Sequence, residues 1–379
     1  MTTIGTSRRQ ISIRDDLAGL ATYTAASALS GVVHRLNNNE SPYPPPADVL
    51  SNMLAELKQA LEGAHRYPDT TVTGLRESLA RYVGHDIQPA EVWAGNGSNE
   101  VLLQLLLAYG GPGRRILGFT PDFGMHRQLA AITGSEWHDG MRADDFTLTA
   151  EHARSVIARV RPDIIMVSNP NNPTGMPLPP DTIEQLVDAA RDSIVVVDEA
   201  YHEFARTRSV VPRIHEHQNL VVARTLSKAF ALAGVRIGYI VAAEARIHDL
   251  RMMSLPYPVS SLAAATAKVA LAHAPRLLER IPAILDERDW LRAELESRGF
   301  RTADSDANFL LFTGMTCSES LFEDLAAAKI AIRNVGPAGW LRVSIGTPAD
   351  NRAFLAVLDR ANPASASFTD SEERNDDYR

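Results

Sequence analysis

At 379 residues, 45% of them hydrophobic, the chain exceeds what one core ordinarily supports, so a large and a smaller domain are expected. A formal charge of -8 with no sustained Lys/Arg run leaves no electrostatic footprint for nucleic acid or an anionic membrane. The single cysteine, Cys317, excludes an intrachain disulfide framework and fits a reducing compartment. The N-terminal MTTIGTSRRQIS has two arginines but no apolar stretch behind them, and no segment approaches the roughly 18 apolar residues of a membrane span. The expectation is a cytoplasmic protein that acts on a small molecule.

Along the chain, short β-branched runs alternate with longer helical stretches, the pattern of βαβ units around a mostly parallel sheet. The first informative element is AGNGSNEVLLQLLLAYGG. Its Gly-rich turn at Gly97 delivers Ser98 and Asn99 as caps of an almost wholly apolar helix that ends at Gly110-Gly111. That is an ordinary capped core helix, or one whose N-terminal amides hold an anion. PDFGMH follows, with Phe123 in a turn. Three apolar runs come next: IIMVS at 164–168, IVVVD at 194–198 and NLVVART at 219–225, each read as a strand buried on both faces. An open α/β sheet places its ligand at the carboxyl ends of such strands. There the sequence has SNPNNPTG, DEAYHEF and RTLSKAF.

These loops carry the candidate chemistry. Asp198 closes a wholly apolar run, where a charge is costly without a partner. By itself it reads as a helix cap or as half of a buried ion pair. Lys228 follows another buried strand, with hydroxyls at Thr225 and Ser227 and a guanidinium eight residues on at Arg236. Hydroxyls and a guanidinium suit a phosphate dianion. A desolvated lysine beside a second cation has a lowered pKa and becomes a nucleophile. In SNPNNPTG, two X-Pro bonds enforce extended or turn geometry and a glycine closes the loop. Toward the C-terminus, NFLLF, IAIRN and LRVSIG read as short strands of an α+β subdomain joined by the N-terminal arm. The terminal ASASFTDSEERNDDYR reads as a disordered tail. The histidines, His215 and His217 among them, lack a convergent cysteine or carboxylate set, so no metal site is expected.

LNNNESPYPPP, RYPD, GNGSNE, PDFGMH, SNPNNPTG, VVVDEAY, RTLSKAFALAGVRIGY, NFLLF and LRVSIGTPADN occur in the order and spacing that class II aminotransferases show. The chain resembles that family, and within it the histidinol-phosphate aminotransferases most. The resemblance implies an α/β fold, pyridoxal-phosphate (PLP)-dependent transferase fold type I, with a mostly parallel, seven-stranded-type sheet in a large domain. A smaller α+β domain would accompany it. The implied division is an arm at 1–41 contributing to the small domain, a large PLP-binding domain at 42–255, a small domain at 256–362 and the tail at 363–379.

By the same resemblance Lys228 would carry pyridoxal 5'-phosphate as a Schiff base and move the proton between Cα and C4'. Asp198 would pair with the ring nitrogen and keep the ring an electron sink. Asn172 and Tyr201 would bond the 3' oxygen, and Phe123 would lie on the ring face. Amides near Gly97, Ser98 and Asn99, with Thr225, Ser227 and Arg236, would cup the phosphate. Tyr67 of RYPD would reach the phosphate in the neighbouring subunit, which makes a homodimer part of the expectation. Arg342 would take the substrate's anionic end, with Arg333 as a second cation and Tyr43 at the substrate's border.

Two segments depart from the family pattern, ESPYPPP after Asn39 and NVGPAGW between the two arginines, and both are expected to border the substrate's side chain. The implied reaction transfers an amino group between glutamate/2-oxoglutarate and histidinol phosphate/imidazole acetol phosphate. Three other readings stay open: an aminotransferase for aromatic or specialised-metabolism amino acids, a PLP-dependent decarboxylase of a phosphorylated amino acid, and a non-catalytic PLP-fold binding module. The last is expected to have lost Lys228 or Asp198, and both are present.

Overall fold

The computed structural model describes residues 11–20, 31–315 and 317–361. The expected tail and parts of the arm, 1–10 and 21–30, lie outside the described residues. The chain runs through β1 (His34–Arg35), α1 (Ala47–Glu62), α2 (Thr73–Val83), β2 (Val92–Gly95), α3 (Ser98–Tyr109), β3 (Arg115–Gly118), α4 (Gly124–Thr133) and β4 (Glu136–Asp139). It continues with α5 (Ala150–Val160), β5 (Ile164–Ser168), α6 (Pro180–Ala189), β6 (Ile194–Asp198), β7 (Leu220–Thr225), β8 (Gly238–Ala242), α7 (Glu244–Met253) and α8 (Ser261–Ala272). It closes with α9 (Ala274–Leu278), α10 (Ile281–Ser297), β9 (Arg301–Thr302), β10 (Phe309–Thr313), α11 (Ser318–Ala327), β11 (Ile330–Ala331), β12 (Leu341–Ser344) and α12 (Pro348–Ala361).

Seven strands form the central sheet in the order β2-β8-β7-β6-β5-β3-β4, and β8 alone runs against its neighbours. Every residue of β5, β6 and β7 is buried, as strands covered by helices on both faces must be. Their register pairs Ser168 with Asp198 and Asp198 with Ala223, so the loops that follow open at one edge. Strand β8 was not among the expected runs; its short GYIVA is apolar and buried throughout.

Helix α3 corrects one expectation. Its N-cap is Gly97, at φ 93°, with no side-chain cap bond, and Ser98 is already the first helical residue. The glycine makes the turn itself, which leaves the Ser98 and Asn99 side chains to line a cavity rather than close the helix.

The C-terminal part holds a three-stranded antiparallel sheet, β12-β10-β9. The arm joins this part through β1, which pairs in parallel with β11 as a separate two-stranded sheet, matching His34 to Ile330 and Arg35 to Ala331. IAIRN is a strand only over Ile330–Ala331 and resumes as a bridge between Arg333 and Arg342. Helix α8 packs on α1 and α2, against the first helices of the chain.

Candidate active site

The carboxyl ends of β5, β6 and β7 face a cavity of about 1230 Å³, to which the arm contributes Asn38, Asn39 and Glu40 and the C-terminal part contributes Arg333, Asn334 and Arg342. Lys228 stands in it, half-buried, its ammonium donating to the Asn38 carbonyl at 2.7 Å. Burial, and then the nearby Arg342 cation, push this lysine down to about 8, against the pull of Glu40. A neutral amine is therefore within easy reach at ordinary pH, the condition a lysine nucleophile or base requires.

At one end of the cavity lie the residues expected to cup a phosphate. Thr225 Oγ1 lies 2.9 Å from Ser227 Oγ, and Arg236 Nη1 donates to Ser227 Oγ at 3.4 Å and to the Ala233 carbonyl at 3.1 Å. A Cβ built on Gly97 would fall 2.3 Å from Arg236 Nη2, so glycine is what lets the guanidinium lie against the start of α3. A guanidinium, two hydroxyls and the N-terminus of a twelve-residue helix thus converge on one concavity rich in donors. The chemistry fits a phosphate dianion.

Deeper in, Asp198 ends β6 with its carboxylate buried, accepting from the Ala200 amide at 3.0 Å. Behind it lies His126, fully buried on α4, with Nε2 at 3.5 Å from Asp198 Oδ2 and Nδ1 at 2.9 Å from Asp122 Oδ2. Burial alone would push this imidazole down, but Asp122 and Asp198 outweigh it and hold His126 up to about 10, so it is a cation at neutral pH. Asp122 also accepts from the Ser168 hydroxyl and, at 3.2 Å, from the Asn171 amide. Neither Asp122 nor His126 was singled out in the sequence. Their spacing of four in PDFGMH, at the entry to a helix, was the available signal. Phe123 lines the cavity and meets the His126 ring edge-on at 5.5 Å.

Tyr201 follows β6, and its hydroxyl oxygen accepts amide N–H bonds from Asn39 at 2.9 Å and Asn172 at 3.3 Å. Asn172 is bonded in turn to Arg342, whose Nη1 donates to Asn172 Oδ1 at 2.6 Å and whose Nη2 donates to the Asn37 carbonyl at 2.6 Å. The Arg342 guanidinium lies over the Phe309 ring, 5.1 Å from its centroid. Arg333 is held beside it by two backbone bonds, of 3.0 and 2.8 Å, to Arg342.

Two expected residues stand apart from this cavity within the single chain. Tyr67 is 79% exposed and stacks on Tyr257 with ring centroids 4.4 Å apart. Tyr43 lies beneath the Arg280 guanidinium, and Ser41 turns back to the Tyr43 carbonyl at 3.0 Å. Of the two departing segments, Glu40 and Asn334 to Gly336 reach the cavity, while Trp340 packs on Phe146.

The sequence pattern of the family described as aminotransferase class I and II matches residues 32–358. The histidinol-phosphate aminotransferase of Frankia casuarinae is 43% identical over 370 residues, covering 94% of this chain and 92% of that protein. The enzyme of the same name from Thermobifida fusca is 42% identical over 356 residues, with coverage of 93% and 96%. Among solved structures, the Sinorhizobium meliloti histidinol-phosphate aminotransferase in complex with pyridoxal-5'-phosphate aligns with a TM-score of 0.84 at 25% identity, over 94% of this chain and 99% of that one. The aspartate aminotransferase of Thermus thermophilus with maleate shares the fold, with a TM-score of 0.81 at 21% identity over 93% of this chain and 100% of that one. In sequence and in architecture alike, the chain belongs to the class I and II aminotransferases.

Proposed function

We propose that the chain is a pyridoxal 5'-phosphate-dependent aminotransferase that moves an amino group between glutamate/2-oxoglutarate and histidinol phosphate/imidazole acetol phosphate. The observation that carries the reading is a single cavity in which Lys228 stands among a phosphate cup, a buried carboxylate and a substrate-sized space ending in two arginines. The relatives named for histidinol phosphate support the substrate.

Bound pyridoxal phosphate supplies an electron sink for the pair left at the substrate's Cα. Thr225, Ser227, Arg236 and the amides at the start of α3, after Gly97, hold its phosphate. Asp198 offers its carboxylate to the ring nitrogen, and the His126 cation behind it fixes where that carboxylate lies. Asn172 and Tyr201 would bond the ring's 3' oxygen, and Phe123, which lines the cavity, would pack on the ring. Lys228 anchors the cofactor and serves as the base that takes and returns the Cα proton. Arg342, a planar fork steadied by Phe309, Asn37 and Asn172, binds the carboxylate of one substrate and the phosphate of the other, with Arg333 beside it.

The working unit is proposed to be a cytoplasmic homodimer with shared active sites. Exposed Tyr67, stacked on Tyr257 two residues from the exposed Leu255, supports a subunit interface here, and in such a dimer Tyr67 would meet the partner's phosphate. Tyr43 would border the substrate there. We keep the division into arm (1–41), large domain (42–255) and small domain (256–362), with α8 lying against the large domain's α1 and α2.

Titration of the purified protein's visible absorption with each amino donor in turn tests the reading. Both glutamate and histidinol phosphate are expected to convert the visible band to the ultraviolet aminated form. Conversion by glutamate alone would contradict the substrate, and conversion by neither would contradict the reaction.

A further inference from the structure

We propose that Asn39 is a positioning residue, its side-chain amide aiming the Tyr201 hydroxyl at the cofactor ring and tying that hydroxyl to the strand that bears Arg342. The inference rests on the reading of Tyr201 as a ring-bonding residue.

Asn39 is buried and sits at φ 53°, in the left-handed region that asparagine tolerates better than other residues with a side chain. Its polar groups are committed in two directions. Toward the large sheet, Nδ2 donates to Tyr201 Oη at 2.9 Å. Toward the C-terminal sheet, Oδ1 accepts from Ser344 Oγ at 2.8 Å, the Asn39 amide donates to the same hydroxyl at 2.8 Å, and the Asn39 carbonyl accepts from Asn308 Nδ2 at 3.0 Å. Ser344 lies two residues beyond Arg342 on β12, hence on the same face of the strand. The phenol oxygen therefore receives two N–H donors, from Asn39 and from Asn172, and each donor is anchored to β12.

The consequence is chemical as well as steric. N–H groups that donate into a hydroxyl oxygen polarise it and strengthen the bond its own proton makes. In this site that bond goes to the ring's 3' oxygen. A stronger donor there stabilises the anionic oxygen and lowers the pH at which the bound chromophore loses its proton. Asn39 is placed to set that pH from the arm, one residue from the carbonyl that holds Lys228.

The test is a spectrophotometric pH titration of the visible band in the resting holoenzyme, with kcat measured alongside. Tyr201→Phe is expected to raise the midpoint. Asn39→Gly removes the side chain but keeps the left-handed backbone accessible, and should raise the midpoint by about half a pH unit with a several-fold fall in kcat. In the Tyr201→Phe background the same change should add nothing, because Asn39 acts through that hydroxyl. Asn39→Asp keeps the volume and the Ser344 bond but replaces the donor with an acceptor, and should raise the midpoint at least as far. A lowered thermal midpoint with an unmoved spectroscopic midpoint in both Asn39 variants would overturn the proposal, as would full additivity with Tyr201→Phe. An unmoved midpoint in Tyr201→Phe would overturn the reading of Tyr201 and this inference with it.

Discussion

Two residues, Lys228 and His126, have their charge set by what surrounds them, and in opposite directions. Burial and the Arg342 cation lower Lys228 to about 8, so the reactive neutral amine grows in as pH rises through that value. The rate at which the cofactor-depleted protein captures added pyridoxal phosphate should follow this curve. A midpoint near 8 is expected, and one near the ordinary 10.5 would contradict the proposed environment. Arg342→Met removes a like charge and should move the midpoint upward, while the burial part of the shift remains. His126 shows the reverse sign. Its folded value, about 10, lies above the ordinary 6.5, so the stabilisation it provides is fully present below pH 6.5 and is lost as pH rises through about 10. His126→Leu leaves Asp122 and Asp198 without their shared cation and should cost about 3 kcal/mol at neutral pH in urea denaturation. A difference near zero would show that the three groups are not coupled. Asp198, Thr225, Ser227 and Lys228 were legible in the sequence because each sits at or just past the end of a buried run. His126 and Asn39 were not, because their meaning lies in partners far along the chain; Asn39 and Tyr201 are 162 positions apart.

Among elements, the site depends on how the ends of β6 and β7 meet the starts of β8 and α3. A buried ion pair fixes two of them. Arg224 of β7 donates from Nε and Nη2, at 2.9 and 2.8 Å, to Glu199 Oε2, and Glu199 also accepts from the Val210 amide at 2.9 Å. These bonds hold the residues next to Asp198 and Thr225 in fixed relation. The start of β8 presses on α3. A Cβ on Gly238 would fall 2.0 Å from the Ser98 nitrogen and 2.3 Å from the Gly97 carbonyl carbon, both backbone atoms that cannot swing aside. Gly238→Ala should therefore displace the first turn of α3 and weaken pyridoxal phosphate binding about tenfold, a loss of roughly 1.4 kcal/mol. An unchanged dissociation constant in an absorption titration would show that this turn does not hold the phosphate. Strands β5 to β7 were readable because a central parallel strand must be apolar at nearly every position. Strand β8 was not, because its first two residues, Gly238 and Tyr239, lie inside a motif read for chemistry and its antiparallel sense leaves no mark in composition. The cap of α3 was misread because serine and asparagine are the usual caps, whereas Gly97 turns the chain unaided.

At the scale of the whole molecule, the arm, the large sheet and the C-terminal sheet each contribute to one cavity, and two expected residues fall outside it within a single chain. The proposed homodimer would account for that. Sedimentation should give a dimer, and Tyr67→Ala, although Tyr67 is exposed in the isolated chain, should weaken cofactor retention about tenfold by removing a phosphate bond across the interface. A monomer with full cofactor affinity would contradict the shared site. That the arm joins the C-terminal part was read from the sequence, but its strand was not, since β1 is two residues long and its pairing with β11 joins segments from opposite ends of the chain.

The central claim is that Lys228 carries the cofactor, and the sequence makes it unusually easy to test. The chain contains only four lysines, Lys58, Lys228, Lys268 and Lys329. Borohydride reduction of the purified protein loaded with pyridoxal phosphate, followed by proteolysis and mass spectrometry, locates the covalent link. The account predicts the reduced phosphopyridoxyl group on the peptide containing Lys228 and on no other. Its appearance on Lys58, Lys268 or Lys329 instead, or on none of the four, would contradict the assignment of this cavity as the active site.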